Sequence, residues 1–300
     1  MAAPVFTSTK RAADNKLPKV VVYGQAGVGK TSLIRTLPHG QTLIVDAEGG
    51  LMSIADIDVT STKIKSFQDI LDLYKWITED PAAKQYKYLV FDSLSDIAEV
   101  CLAYEKTQVN DKRQAYGEMA DKMIYIIRQF RDLDLGICFI CKLEKNKDEV
   151  SGAMMYSPLL PGQVLPKQMP YLVDGLLAMR MTAPDNDGNC ARYVQTQPDF
   201  QWDAKCRNAP GRNLDRTEPA DLGWIFSKLQ GYHPQKLWYY HADSDSYLLQ
   251  TGTEAVLSNE EGADLTKIGS DEQRAKHEAW IIKKAAEAAA AEAASTEAGE

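Results

Sequence analysis

The run KVVVYG (Lys19–Gly24) passes directly into GQAGVGKT, and this junction limits the fold more than anything else in the sequence. Three consecutive valines and a tyrosine favour a buried extended strand. The stretch that follows, KTSLIRTL, reads as the start of a helix. Between them the pattern GxxxxGK[ST] is met at Gly24, Gly29, Lys30 and Thr31. In a strand–loop–helix context such glycines let backbone N–H groups turn inward around phosphates. Lys30 is placed to neutralise the β and γ oxygens of a nucleotide, and the Thr31 hydroxyl to ligate Mg²⁺. The expected nucleotide-binding segment is Gly24, Gln25, Ala26, Gly27, Val28, Gly29, Lys30, Thr31 and Ser32, with ATP and Mg²⁺ as ligands. A glycine turn matching by chance is the competing reading, and the flanking elements speak against it.

Further strands are expected at QTLIVDAEG, YKYLVFDS, GICFICKL and DGLLAMRM. FQDILDLYKWITED has the apolar spacing of an amphipathic helix. Asp96 to Leu135 also reads as helical, with Met119, Met123, Ile126, Ile127 and Phe130 on one face of its second half. Glu144 to Pro170 and Lys205 to Pro219 read as loops, and KLWYYHADSDSYLLQ as a hairpin. Alternating strands and helices imply an α/β fold with a mostly parallel sheet covered on both faces. The division expected is a polar lead at 1–18, a nucleotide-binding core at 19–230, a β-hairpin at 231–257 and an Ala/Glu-rich tail at 258–300, helical or disordered.

Two segments supply carboxylates where strands should end. Asp92 closes YLVFDS and could hold the magnesium shell through water; it could equally cap the next helix. LIVDAEGG offers Asp46 and Glu48, and a glutamate there could polarise an attacking water. An acidic turn is the alternative. Asp46 to Gly49 also fits DxxG, and NKDE at Asn146 to Glu149 approaches the guanine-reading NKxD of GTPases. The first follows the phosphate loop too closely to leave space for a switch segment, and the second ends in glutamate, which disfavours that reading.

GQAGVGKT, LIVDAEGG and YLVFDS, in this order and spacing, resemble the RecA-like ATPases, and within them the compact phage ATPases that accompany single-strand annealing and recombination. The resemblance spans Lys19 to Leu229 and includes QAYGEMADKMIYIIRQFRDLDLG and AKCRNAPG. It implies a RecA-like P-loop core, with Glu48 as catalytic base and Asp92 as the magnesium carboxylate. It also implies that Lys205 and Arg207 form a Lys-x-Arg pair reaching a neighbouring subunit's ATP, in a ring or filament of identical chains. Two solvated surface charges are the plainer reading of that pair. Lys142 departs from the family, whose sensor of the γ-phosphate at this strand end is histidine or glutamine.

The segment after the fourth strand is where such proteins carry DNA-binding loops. Lys145, Lys147 and Lys167, with Lys142, Met154, Met155, Tyr156 and Gln163, offer cations for phosphates and flat or soft groups for the bases of single-stranded DNA. An ordered surface loop accounts for them equally well. Trp238, Tyr239, Tyr240 and Tyr247 of the hairpin could stack bases but are better read as packing. A net charge of −8 excludes a generally basic coat without excluding a local groove. No apolar run reaches the ~18 residues of a membrane span, and five cysteines without framework spacing fit reduced thiols, so a cytoplasmic protein, of a phage-infected host, is expected. Cys138 and Cys141 read as strand residues and not as a zinc or redox pair. An annealing or single-strand-binding protein is an expected partner. The rivals are a switch or assembly ATPase that does not act on DNA and a small-molecule kinase, the latter disfavoured because Glu144 to Pro170 holds no arginine for a lid.

Overall fold

A computed structural model describes residues 17–149, 151–184 and 190–231, together with the backbone of three later strands. In chain order the elements are β1 (Lys19–Gly24), β2 (Thr42–Asp46), β3 (Thr60–Lys63), α1 (Phe67–Glu79), β4 (Tyr88–Asp92), α2 (Leu94–Gln108) and α3 (Lys112–Arg131). Then come β5 (Gly136–Lys147), β6 (Met154–Leu159), α4 (Val164–Leu172), β7 (Gly175–Met181), β8 (Arg192–Gln195), β9 (Lys205–Cys206), β10 (Thr217–Pro219) and α5 (Leu222–Leu229).

Strands β7, β1, β5, β4, β2 and β3 lie side by side in that order and all run parallel. β8 and β10 extend the β7 edge antiparallel, β9 also pairs with β7, and β6 folds back on β5. β1 is buried at every position because it has a strand on each side and packed side chains on both faces. Val21 and Tyr23 face a core built with Ile70 of α1, Ile97 of α2, Met119 of α3 and Leu165 of α4. Val20 and Val22 face the opposite core, formed with Leu33, Ile34 and residues Leu222, Ile225 and Phe226 of α5.

Local chemistry starts the helices. Ser66 and Asp69 form a reciprocal capping box on α1, while Ser93, Asp111 and Asp221 cap α2, α3 and α5. Met119, Met123, Ile126, Ile127 and Phe130 are all buried on α3, as their spacing predicts. The expected single helical segment is two helices. Cys138 and Cys141 lie on β5 but in the two opposite cores, so their thiols cannot meet; burial pushes Cys141 up to about 12 and raises Cys138 as well.

KTSLIRTL forms a six-residue 3-10 helix, Thr31–Thr36, that stops before Pro38. Glu144 to Pro170 is not a loop: β5 runs on to Lys147, β6 pairs with it from Lys147↔Met154 to Lys142↔Leu159, and α4 follows. Lys205 to Pro219 likewise contains β9 and β10.

A second unit, His233–Glu300, contains an antiparallel sheet of β11 (Leu237–His241), β12 (Ser246–Thr251) and β13 (Glu254–Leu257). The expected hairpin is therefore one strand larger. The packing of Trp238, Tyr239, Tyr240 and Tyr247, the lead up to residue 16, and the tail from 258 lie outside the described residues.

Candidate nucleotide site

The loop at the end of β1 has no room for a side chain at its first glycine. A Cβ on Gly24 would stand 2.6 Å from the carbonyl oxygen of Met179 on β7. Gly27 and Gly29 have φ of 77° and 101°, backbone states that side chains resist. Val28, the loop's apolar residue, is buried as an anchor, whereas Gln25, Ala26 and Gly27 are exposed. Gly24, Gln25, Ala26, Gly27, Gly29, Lys30, Thr31 and Ser32 line a cleft of about 660 Å³. That is within the roughly 300–1,000 Å³ range of small-ligand sites.

Lys30 is folded onto its own loop, its Nζ donating to the carbonyls of Gly24 at 2.9 Å and Gln25 at 3.1 Å. Burial lowers its pKa, and Glu48 and Asp92 work against that shift. The ammonium thus occupies the loop mouth and has weak neutral partners that an anion can replace.

β4 brings Asp92 to the same place. The Thr31 hydroxyl donates to Asp92 Oδ2 at 2.7 Å, while Asp92 Oδ1 is buried without a partner. Burial pushes this carboxyl up to about 6, and the Thr31 hydroxyl draws it back. A buried acceptor left unsatisfied needs an explanation, and a hydrated cation beside Thr31 provides one. Among the described residues no group of three or more His, Cys, Asp or Glu could hold a metal. A site with one hydroxyl and one carboxylate fits Mg²⁺, which keeps several waters and takes phosphate oxygens.

The two carboxylates after β2 are separated in use. Asp46 is buried and its Oδ1 accepts the Gly49 N–H at 2.7 Å, closing the turn. Glu48 is exposed and lines the cleft. Its position is fixed through the backbone, since the N–H groups of Ala47 and Glu48 both donate to the Asp92 carbonyl, at 2.8 and 3.2 Å. Lys142 lines the cleft too, but its Nζ is tied to Asp96 at 2.5 Å and its N–H to Ser95 Oγ at 3.0 Å.

A family model described as an AAA domain (AAA_24) matches residues 16–208, which takes in the whole of this cleft. The chain belongs to the AAA_24 family. No curated protein matched in sequence. Among solved structures, a KaiC-like protein of the hyperthermophilic archaeon Pyrococcus horikoshii OT3 is similar at 12% identity and a TM-score of 0.33, over 59% of this chain and 77% of that one. The AAA_24 domain is an α/β P-loop NTPase domain with the mostly parallel, helix-flanked sheet expected of a RecA-like core.

Other expected site residues lie elsewhere in the domain. Lys205 Nζ donates to the Pro170 carbonyl, and Arg207 donates to the Tyr171 carbonyl at 2.6 Å and pairs with Asp174 at 3.4 Å. Both stand at the start of β7, level with Asp174 to Leu176, whereas the phosphate loop leaves β1 level with Met179. Of the DNA candidates, Lys147 is exposed on the β5–β6 ribbon and Lys167 on α4, while Lys145 is exposed but lines the nucleotide cleft. Tyr156 is stacked on Trp202 with ring centroids 4.5 Å apart, so this ring is part of the packing. Gln163 is the N-cap residue of α4.

Arg192, which carried no signal in the sequence, also lines the cleft. Its guanidinium lies beside Gly29, with Nε 3.2 Å from where a Cβ would stand.

Proposed function

We propose that this protein is a Mg²⁺-dependent ATP hydrolase of RecA-like type that works with single-stranded DNA in recombination or annealing, its ATP completed by a neighbouring subunit. The observation that carries the hydrolase reading is the convergence of Lys30, Thr31 and Glu48 on one cleft, with Asp92 of β4 buried behind it on the Thr31 hydroxyl. Phosphoryl transfer needs positioning, charge stabilisation and an oriented water more than covalent help. Lys30 would leave its loop carbonyls for the β and γ oxygens. Thr31 and Asp92 would hold Mg²⁺, which when bound neutralises charge on the phosphates. Glu48, exposed at the mouth, would orient and deprotonate the attacking water.

Two observations support completion in trans. Lys205 and Arg207 are at least three residues down β7 from the level of the loop, about 10 Å at ~3.3 Å per residue. They cannot serve the cleft of their own chain, and their present partners are chiefly carbonyl oxygens that an interface can replace. For DNA, the support is the exposed Lys147 and Lys167, with exposed Met154 on the ribbon between them in sequence; Lys145 is better counted with the nucleotide.

The test is the ATPase rate with and without single-stranded DNA, repeated over a series of salt concentrations. Stimulation that weakens steeply with salt is expected, because each neutralised phosphate releases a counterion. Hydrolysis that ignores DNA at every salt concentration would remove the DNA role and leave a switch or assembly ATPase.

A further inference from the structure

We propose that Arg192 is a nucleotide-binding residue that grips the phosphates ATP shares with ADP, the α and the β, from within the same chain. The inference rests on the ATPase reading above and adds a residue to it.

The sheet order places this arginine. β1 ends at Gly24, level with Met179, but β7 continues two residues further to Met181. There the chain returns as β8 with Met181 opposite Arg192, so the first residue of β8 overhangs the phosphate loop. The turn is anchored by Thr182, whose N–H donates to the Ala191 carbonyl at 2.8 Å and whose hydroxyl accepts the Ala191 N–H at 2.9 Å. Arg192 Nε, Cζ and Cδ all lie 3.2–3.4 Å from the Cβ position of Gly29. A Cβ at Gly29 would press on the guanidinium, which stands in contact with the loop.

The side of approach separates binding from chemistry. Glu48 reaches the cleft from the end of β2, and Asp92 of β4 stands behind it on Thr31, both on one flank of β1; Arg192 arrives from β8, on the other. The attacking water belongs with Glu48, so the cation on the opposite flank meets phosphates that are present in ADP as well as ATP. Lys142, on the Glu48 flank, is already neutralised by Asp96. The exposed guanidinium of Arg192 has the forked donors suited to phosphate oxygens.

A group that holds the phosphates common to ATP and ADP shows its loss first in the binding of both nucleotides. Arg192→Ala and Arg192→Lys should therefore be compared with wild type for Kd of ADP and of ATP and for steady-state kcat and KM. Arg192→Ala should weaken ADP and ATP equally, by about 10- to 100-fold, the loss expected for a charged hydrogen bond. Arg192→Lys should recover part of the affinity, since charge persists while the fork is lost. Unchanged ADP affinity in Arg192→Ala, or a collapse of kcat at unchanged KM, would overturn the assignment. Wild-type protein that binds neither nucleotide would instead overturn the ATPase reading itself.

Discussion

Gly24 shows how a single residue can be fixed by a neighbour 155 positions away in the chain, because the carbonyl of Met179 occupies the space its side chain would need. Gly24→Ala is expected to cost about 1–3 kcal/mol, the usual penalty for overpacking, and to show as a lower denaturation midpoint with an unchanged slope. A midpoint equal to wild type would mean that β7 can retreat from the loop. The loop itself was legible because its chemistry is local: glycines, lysine and threonine act at fixed spacing on one ligand. Asp92 was legible because its strand is a continuous apolar run ending in a carboxylate. Arg192 was not, because its place depends on how far β7 overruns β1 and on the antiparallel return, and neither distance is written in the residues around it. The tie between Lys142 and Asp96 was hidden for the same reason.

At the scale of elements, the hardest stretch to read was Glu144 to Pro170, where prolines suggested a loop. Pro158 is tolerated because the free edge of β6 carries, among the described residues, only the bridge of Tyr156 with the 201–203 segment, two residues before it, and Pro166 because it falls in the first turn of α4. The long helices were easier, since α3 keeps a regular apolar face and its amino-terminal cap is local. What the sequence could not announce was the ion pair joining α2 to α3: Glu105, with a side chain only 3% exposed, meets Lys122 at 2.6 Å. Lys122→Ala would leave that carboxylate buried and unpaired, at an expected cost of about 1–2 kcal/mol, kept modest because Lys122 is itself partly exposed. Adding Glu105→Gln should return most of the lost stability in a thermal melt. If the double variant is less stable than the single one, the pair is not what joins these helices.

At the scale of the whole molecule, the parallel sheet gathers its chemistry at one end and leaves Lys205 and Arg207 at the other. That separation is the reason to expect assembly. A chain lacking both cations, Lys205→Ala with Arg207→Ala, should hydrolyse ATP poorly, as should a Lys30→Ala chain. Mixed together they should recover part of the activity, because each can complete a site the other cannot. A mixture no more active than its components would confine the cations to a structural role.

The proposed hydrolysis takes place at the cleft lined by Lys30, Thr31 and Glu48, with Asp92 behind Thr31. The most direct measurement is ATP binding and turnover by Glu48→Gln, which keeps the shape of the side chain and removes the base. ATP affinity within a few-fold of wild type, with turnover lower by about 100-fold or more, is the result this arrangement predicts. Full turnover by Glu48→Gln would contradict it.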